Sequence, residues 1–388
     1  MKSNYKPIGK YIQRVEHRNR DLKVTRLLGL SMTKEFRETT SNIVGTDMSV
    51  YRVMSKYQFA CDFMSPIRVN KLPVVLKLDD EPNLVSPAYP VFEIKDRNEL
   101  DPEYLMMWFR RTEFDRYATF KCDAAIRGGY EWTELCETLI PVPSITKQKE
   151  IVKEYNVIQN RIALNQQLIQ KLEETAQAIY KQWFVEGIDL ENLPEGWSIG
   201  DLSMISKKIY SGGTPSTEVD EYWNGEYYWF SSGETGNKYI LSTEKSITKE
   251  GIKNSTTKKT QRLSTVIATA GQGKTRGQSA LIFNDVYINQ SVISVEPINT
   301  EYSYFIYLNI NSRYEELRND SDAQSIRGSI NSNDIKGLST IVPLNDIMLK
   351  FHKTVSPFFE IIENKMKQNQ MLKELKDLLL SKLATIEN

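Results

Sequence analysis

The chain has 388 residues and 50 Lys plus Arg against 50 Asp plus Glu, so its formal net charge at neutral pH is zero. That length exceeds what one core usually sustains and predicts at least two domains, with no signal peptide and no apolar run able to span a membrane. Three cysteines (Cys61, Cys122, Cys136) without a C-x-x-C pair point to reduced thiols, a cytoplasmic setting and no zinc site. The two histidines, His17 and His352, supply a Ser–His–Asp or Cys–His arrangement poorly.

In chain order, "YQFACDFMSPIRVNKLPVVLKLDDEPNLVSPAYPVFEIKD" (57–96) reads as strands and turns, and "DPEYLMMWFRRTEFDRYA" (101–118) as helix. Asp79 or Asp80 followed by Glu93-Ile94-Lys95 has the order of a D…E-x-K nuclease metal site, although alternating strand residues produce that order readily. Next comes "AAIRGGYEWTELCETLIPVPS" (124–144), which lines up without a gap on "QSIRGSINSNDIKGLSTIVPL" (324–344). Ile126-Arg127-Gly128 and Val142-Pro143 recur 200 positions later as Ile326-Arg327-Gly328 and Val342-Pro343.

Each copy leads into a long helix. From Lys147 to Trp183 there is no Pro or Gly, and Ile151, Tyr155, Ile158, Ile162, Asn165, Ile169, Leu172, Ala176, Ile179 and Trp183 follow the four-three steps of a coiled-coil seam. The second copy gives Phe351, Val355, Phe358, Ile362, Lys365, Asn369, Leu372, Lys376, Leu379 and Leu383, with Leu375, Leu378 and Leu380 widening the stripe. Asn165 and Lys365 place a polar residue mid-seam in both, the kind that sets register at some cost in stability. Forty helical residues span about 60 Å. His352 lies in the second helix, where a solvated or capping role is expected.

Between the helices, "ATAGQGKTRGQ" (268–278) ends its glycine run like a phosphate-binding P-loop. Ala268 stands where the motif requires its first glycine, however, and "TRGQSALIFNDVYINQSVISVEP" after Lys274 predicts turns and strands rather than a helix. A glycine-rich hairpin loop carrying Lys274 and Arg276 is the better reading. "KNSTTKKTQR" (253–262) adds local positive charge to a neutral chain.

Taken together, "LPEGW" (193–197), "SGGTPS" (211–216), Tyr222-Trp223-Asn224-Gly225, the "GQGKTRGQSAL…INQSVISVEP" run and both "IRG…P" segments resemble the DNA-specificity subunits of type I restriction-modification systems. "LVSPAYPVFEI" with "PEYLMMWFRR" is similar to another version of the same domain, so the resemblance covers essentially the whole chain. It implies a mixed α/β fold with two similar target-recognition domains (1–143 and 187–343). Two long spacer helices (144–186 and 344–388) would form an antiparallel coiled coil in a pseudo-twofold arrangement. The implied role is non-catalytic. Each recognition domain would read half of a bipartite site in double-stranded DNA, while the helices set the spacing and dock two methyltransferase subunits. Restriction subunits would complete the complex, with S-adenosylmethionine, ATP and Mg on the partners and no cofactor or metal in this chain. The absence of an [ND]-P-P-[YF] tetrapeptide and of a complete Walker A motif accords with this.

Base reading needs Arg or Lys for guanine and Asn or Gln for adenine on loops that reach a groove. In the second domain the candidates are Lys274, Thr275, Arg276 and Gln278, with Gly271, Gly273 and Gly277 letting the backbone approach phosphate. Ser211, Gly212, Gly213 and Thr214 offer small side chains and N–H groups to the DNA backbone, or else form a plain tight turn; Lys258 and Lys259 join them. In the first domain the candidates are Lys34, Arg37, Lys56, Arg68, Asn70 and Lys71, which also read as ordinary surface charge. Trp223 and Trp229 are expected in the core, and Arg127 and Arg327 in structural roles at the domain–helix junctions. Two other classes remain open at this level: a standalone enzyme, an ATPase through Lys274 or a nuclease through Glu93 and Lys95, and a two-domain protein-binding scaffold.

Overall fold

The computed structural model describes residues 5–39, 45–123, 130–271, 274–324 and 329–386. The chain forms two compact units, one of residues 1–162 with 371–388 and the other of residues 163–370. Each unit therefore contains part of both long helices, Ile145–Phe184 and Asn345–Lys382. The junction motifs Ile126-Arg127-Gly128 and Ile326-Arg327-Gly328 lie outside the described residues, as does Gly273.

The first unit is built on an antiparallel sheet ordered Ile12–Val15, Val91–Ile94, Phe59–Cys61, Val74–Leu76. Strand side chains alternate between faces. Phe59, Cys61, Val74, Phe92 and Ile94 join one apolar cluster, and Ala60, Val75 and Val91 join another with Leu30, Met54 and Val85. A sheet covered on both faces explains why these strands read as nearly continuous apolar runs. The helix Pro102–Phe109 packs into the first cluster. Its start is marked by Asp101, whose carboxylate accepts from the N–H groups of Glu103 (2.9 Å) and Tyr104 (3.0 Å), and by Pro102 in the first turn.

The second unit has two sheets of four or more strands among the described residues. The larger runs Ser206–Ser211, Val292–Pro297, Thr265–Ala268, Ser279–Ile282, Tyr239–Ile240; the smaller runs Lys245–Ile247, Trp223–Phe230, Val286–Ile288, Lys258–Thr260. Its main core joins the larger sheet and the helix Ser303–Ser312 to Ala176, Tyr180 and Phe184 of the first long helix and Phe351, Val355 and Phe359 of the second. Phe184 and Phe351 meet edge to face at 4.9 Å, and farther along Asn165 Nδ2 donates to Asn369 Oδ1 at 2.8 Å, so the helices run antiparallel. The mid-seam partner of Asn165 is thus Asn369, buried to 8% exposure, and not the sequence-equivalent Lys365, which donates to its own neighbour Gln368 at 3.1 Å. In an antiparallel pair, positions equivalent in the repeat share a height only at the centre of the seam, so Asn165 and Lys365 are offset. His352 is half-buried against Tyr304 with ring centroids 5.1 Å apart, and burial lowers its pKa; it is a packing residue rather than a solvated cap.

The repeat reaches further than the matched 21-residue segments. In both units a short first strand pairs antiparallel with the strand preceding the long helix: Tyr5–Pro7 with Leu139–Pro141, and Ser198–Asp201 with Ser339–Val342. The helices Pro102–Phe109, Thr112–Asp123 and Trp132–Glu137 also have counterparts in Ser303–Ser312, Tyr314–Gln324 and Ser332–Lys336.

Candidate nucleic-acid interface

The glycine-rich segment joins two antiparallel strands, with Val266 opposite Ala280 and Ile267 opposite Ser279. Ala268 N–H donates to Gln278 O and Gly277 N–H to Ala268 O, both at 2.9 Å, closing the hairpin. Gly271 and Gly277 take φ of +140° and +83°, conformations that side chains rarely adopt. No helix follows, so the converging N–H groups and helix terminus of a nucleotide-binding loop are not built here. Lys274 is exposed, while Thr275, Arg276 and Gln278 are half-buried. Tyr314 Oη donates to Lys274 O at 2.8 Å and Thr235 Oγ1 to Gln278 Oε1 at 3.3 Å, bracing the base of the loop from two sides. Lys238, on the same side, is anchored to Glu173 of the first long helix at 2.5 Å.

The small residues at 211–214 have a different use. Gly212 N–H donates to Asn289 O (3.3 Å) and Gly213 N–H to Ile288 O (3.0 Å), so neither is free for a DNA phosphate. A Cβ on Gly212 would lie 1.9 Å from Ile288 O, and one on Gly213 2.0 Å from Thr256 Oγ1. These glycines exist for close packing, which corrects the reading of exposed N–H groups. Ser211 is half-buried, and the Thr214 hydroxyl bonds the Gln290 side chain. Trp229 is buried and meets Trp223 edge to face at 5.0 Å, with its indole N–H donating to Gly213 O at 3.3 Å. Lys258 and Lys259 are exposed on an edge strand; Lys259 pairs with Asp285 at 2.7 Å and Lys258 lies over the Tyr210 ring. They face a cleft that also receives Lys207, Lys208 and Lys336, three cations absent from the sequence-level candidates.

In the first unit Lys34 is a correction. It is 5% exposed, its ammonium donates to Asp115 at 2.8 Å and to Phe109 O, and burial holds its pKa below the ordinary lysine value despite Asp115. A buried, paired lysine cannot touch DNA. Its role is to fix Asp115, which also accepts Leu72 N–H at 3.0 Å and so anchors the chain just after Arg68, Asn70 and Lys71. Those three are exposed together at the end of the short helix Ser65–Val69, where Asn70 turns the backbone at φ +53°. Arg37 is exposed and donates to Leu30 O at 3.3 Å; Lys56 is exposed but pairs with Asp80 at 3.0 Å.

The nuclease-like residues are not assembled into a metal site. Glu93 accepts from Gln13 (2.9 Å) and Gln58 (3.0 Å), Lys95 donates to Gly9 O and Lys10 O, and Asp79 pairs with Lys77 at 2.6 Å. Among the described residues no group of three or more His, Cys, Asp or Glu side chains is arranged to hold a metal ion, and no helix is long and apolar enough to cross a membrane.

A family model described as the type I restriction modification DNA specificity domain matches residues 194–374. The type I restriction enzyme MjaIX specificity subunit of Methanocaldococcus jannaschii is 24% identical over 304 residues, covering 73% of this chain and 68% of that protein. The HindI specificity subunit of Haemophilus influenzae is 21% identical over 378 residues, covering 78% and 81%. Among solved structures, the S subunit of a type I restriction-modification system from M. genitalium shares the fold, with a TM-score of 0.57 over 99% of this chain and 96% of that one at 14% identity.

Proposed function

We propose that this chain, like the type I restriction enzyme specificity subunits it resembles, is a non-catalytic DNA-specificity subunit whose two globular domains each read one block of a split DNA site. The observation that carries the proposal is the repeated frame: the same strand pair, helices and junction strand lead twice into a long helix, while the strands and loops inserted in each frame differ. Two readers on one plan with different contents suit two different half-sites. Half-sites on one face of B-DNA lie about 34 Å apart per turn. Linking the readers makes the second binding event intramolecular and raises affinity without new contacts.

In this reading the second domain presents Lys274, Thr275, Arg276 and Gln278 to a groove, and the first presents Arg37, Arg68, Asn70 and Lys71. The long helices set the spacing and dock two methyltransferase subunits in the cytoplasm, with restriction subunits joining for cleavage. S-adenosylmethionine, ATP and Mg belong to those partners. Phosphate contacts contributed by the partners make the neutral net charge of this chain workable.

The test is a map of N6-methyladenine in a methylation-free host that expresses this chain with the methyltransferase encoded beside it. The reading expects a motif of two short blocks separated by a fixed run of unspecified bases. A continuous motif, or no methylation from a folded, co-purifying complex, would sink it.

A further inference from the structure

We propose that the cleft between the edge strands Ser206–Ser211 and Lys258–Thr260 is a binding site for the phosphodiester backbone of duplex DNA, separate from the glycine-rich loop. The inference rests on the reading that this chain binds DNA. The cleft has a volume of about 740 Å³ and receives Lys207, Lys208, Lys258, Lys259 and Lys336, which come from three separate segments of the second unit.

The convergence has an identifiable cause. Consecutive strand residues normally point to opposite faces, so Lys207 and Lys208 should not share a cleft. Here the register against the neighbouring strand shifts: Ser206 pairs with Pro297 and Lys208 with Glu296, leaving Lys207 as the extra residue of a bulge. A bulge re-aims a side chain, and both lysines line the same cleft as a result.

Most of this charge is unpaired. Lys259 pairs with Asp285 and Lys258 rests on the Tyr210 ring, but among the described residues no ion pair holds Lys207, Lys208 or Lys336, all three exposed. The acid lining the cleft, Glu296, is 8% exposed and accepts the Tyr210 hydroxyl at 2.5 Å. Cations gathered in one concavity repel each other and focus a positive field, and an anion relieves both effects. Lysine serves phosphate as a point charge without demanding bidentate geometry. A cleft of this size, lined from three segments, fits a run of phosphates rather than one isolated ion. Such contacts position a protein on the duplex and carry no sequence information.

The experiment compares the full-length chain with Lys207→Gln/Lys208→Gln/Lys336→Gln. Lys149→Gln/Lys153→Gln/Lys181→Gln, on the first long helix, controls for the same loss of charge. Binding to a labelled duplex of arbitrary sequence is followed by anisotropy across a salt series. Each lost phosphate contact flattens the plot of log affinity against log salt by about 0.9, so the cleft variant is expected to lose a slope of about 2 to 3. The helix control keeps the parent slope, as does Lys207→Arg/Lys208→Arg/Lys336→Arg, which retains the charge. In the methylation assay the cleft variant modifies the parent's motif, only less completely. A cleft variant with the parent's slope overturns the proposal, and the split motif still judges the recognition reading independently. A parent chain that does not bind duplex at low salt also overturns it, as does a cleft variant that methylates an altered motif. Inorganic phosphate that displaces DNA from the parent but not from the variant, at matched ionic strength, would make this a small-anion site and overturn it as well.

Discussion

Two sets of lysines, one in each unit, are used in opposite ways. In the first, Lys34 and Lys77 are buried and tied to Asp115 and Asp79, and Lys95 is held by two backbone carbonyls. In the second, Lys207, Lys208 and Lys336 stand exposed and unpaired around one cleft, with Lys258 beside them. The lesson is that cation content along a sequence does not report cation availability. Availability depends on whether a carboxylate or carbonyl waits behind the side chain, and tertiary structure decides that.

The contrast can be broken most forcefully at Lys34. Removing one member of a buried pair leaves the other charge stranded and costs about 3–5 kcal/mol. Lys34→Ala should lower the urea midpoint of the first unit accordingly, and it should leave the second unit's transition in place. A loss under about 1 kcal/mol would mean that Lys34 is not the internal anchor described.

An intermediate effect is expected at Arg262. Its guanidinium forms a two-pronged pair with Glu363 of the second long helix, at 3.0 and 2.5 Å, with the carboxylate more buried than the cation. Arg262→Ala should cost about 1–2 kcal/mol, since one partner is solvated. Glu363 is held below the ordinary value of 4.5: burial pushes it up, but the bonds from Arg262 and Lys367 outweigh that. A depressed carboxylate contributes stability that is fully present above 4.5 and is lost as pH falls through its lower folded value. The parent should therefore lose more stability than Arg262→Ala when denaturation is repeated below pH 4.5. Equal losses would remove this pair from the account.

The smallest stability effect belongs to the cleft. Lys336→Ala should change unfolding free energy by less than about 0.5 kcal/mol, because an exposed unpaired lysine holds nothing in place. A clear destabilisation would show that the cleft lysines too hold the structure together, and the contrast would collapse.

Much of the frame was legible from residue order. The seam from Ile151 to Trp183 follows a helical period through most of the 40-residue helix Ile145–Phe184, and the turn-and-strand composition after Lys274 argues against a P-loop from residue order alone. The errors have physical reasons. The antiparallel register itself was not legible: both seams carry polar residues, and only the packed helices show that Asn165 meets Asn369 rather than Lys365. Lys34 looked like surface charge because its anchor, Asp115, is far away in sequence. Gly212 and Gly213 looked like phosphate donors, although Ile288 and Asn289 had already taken their N–H groups. Lys207 and Lys208 were missed as a pair because strand periodicity separates neighbours, and only the bulge against Pro297 and Glu296 reunites them.

The most direct test of two independent readers is a domain exchange followed by methylation mapping. Residues 187–343 would be replaced with the corresponding domain of a relative that methylates a different site. The account predicts that one block of the split motif changes to the donor's while the other block stays as it was. A change in both blocks, or in neither with the chimera folded and active, would contradict it.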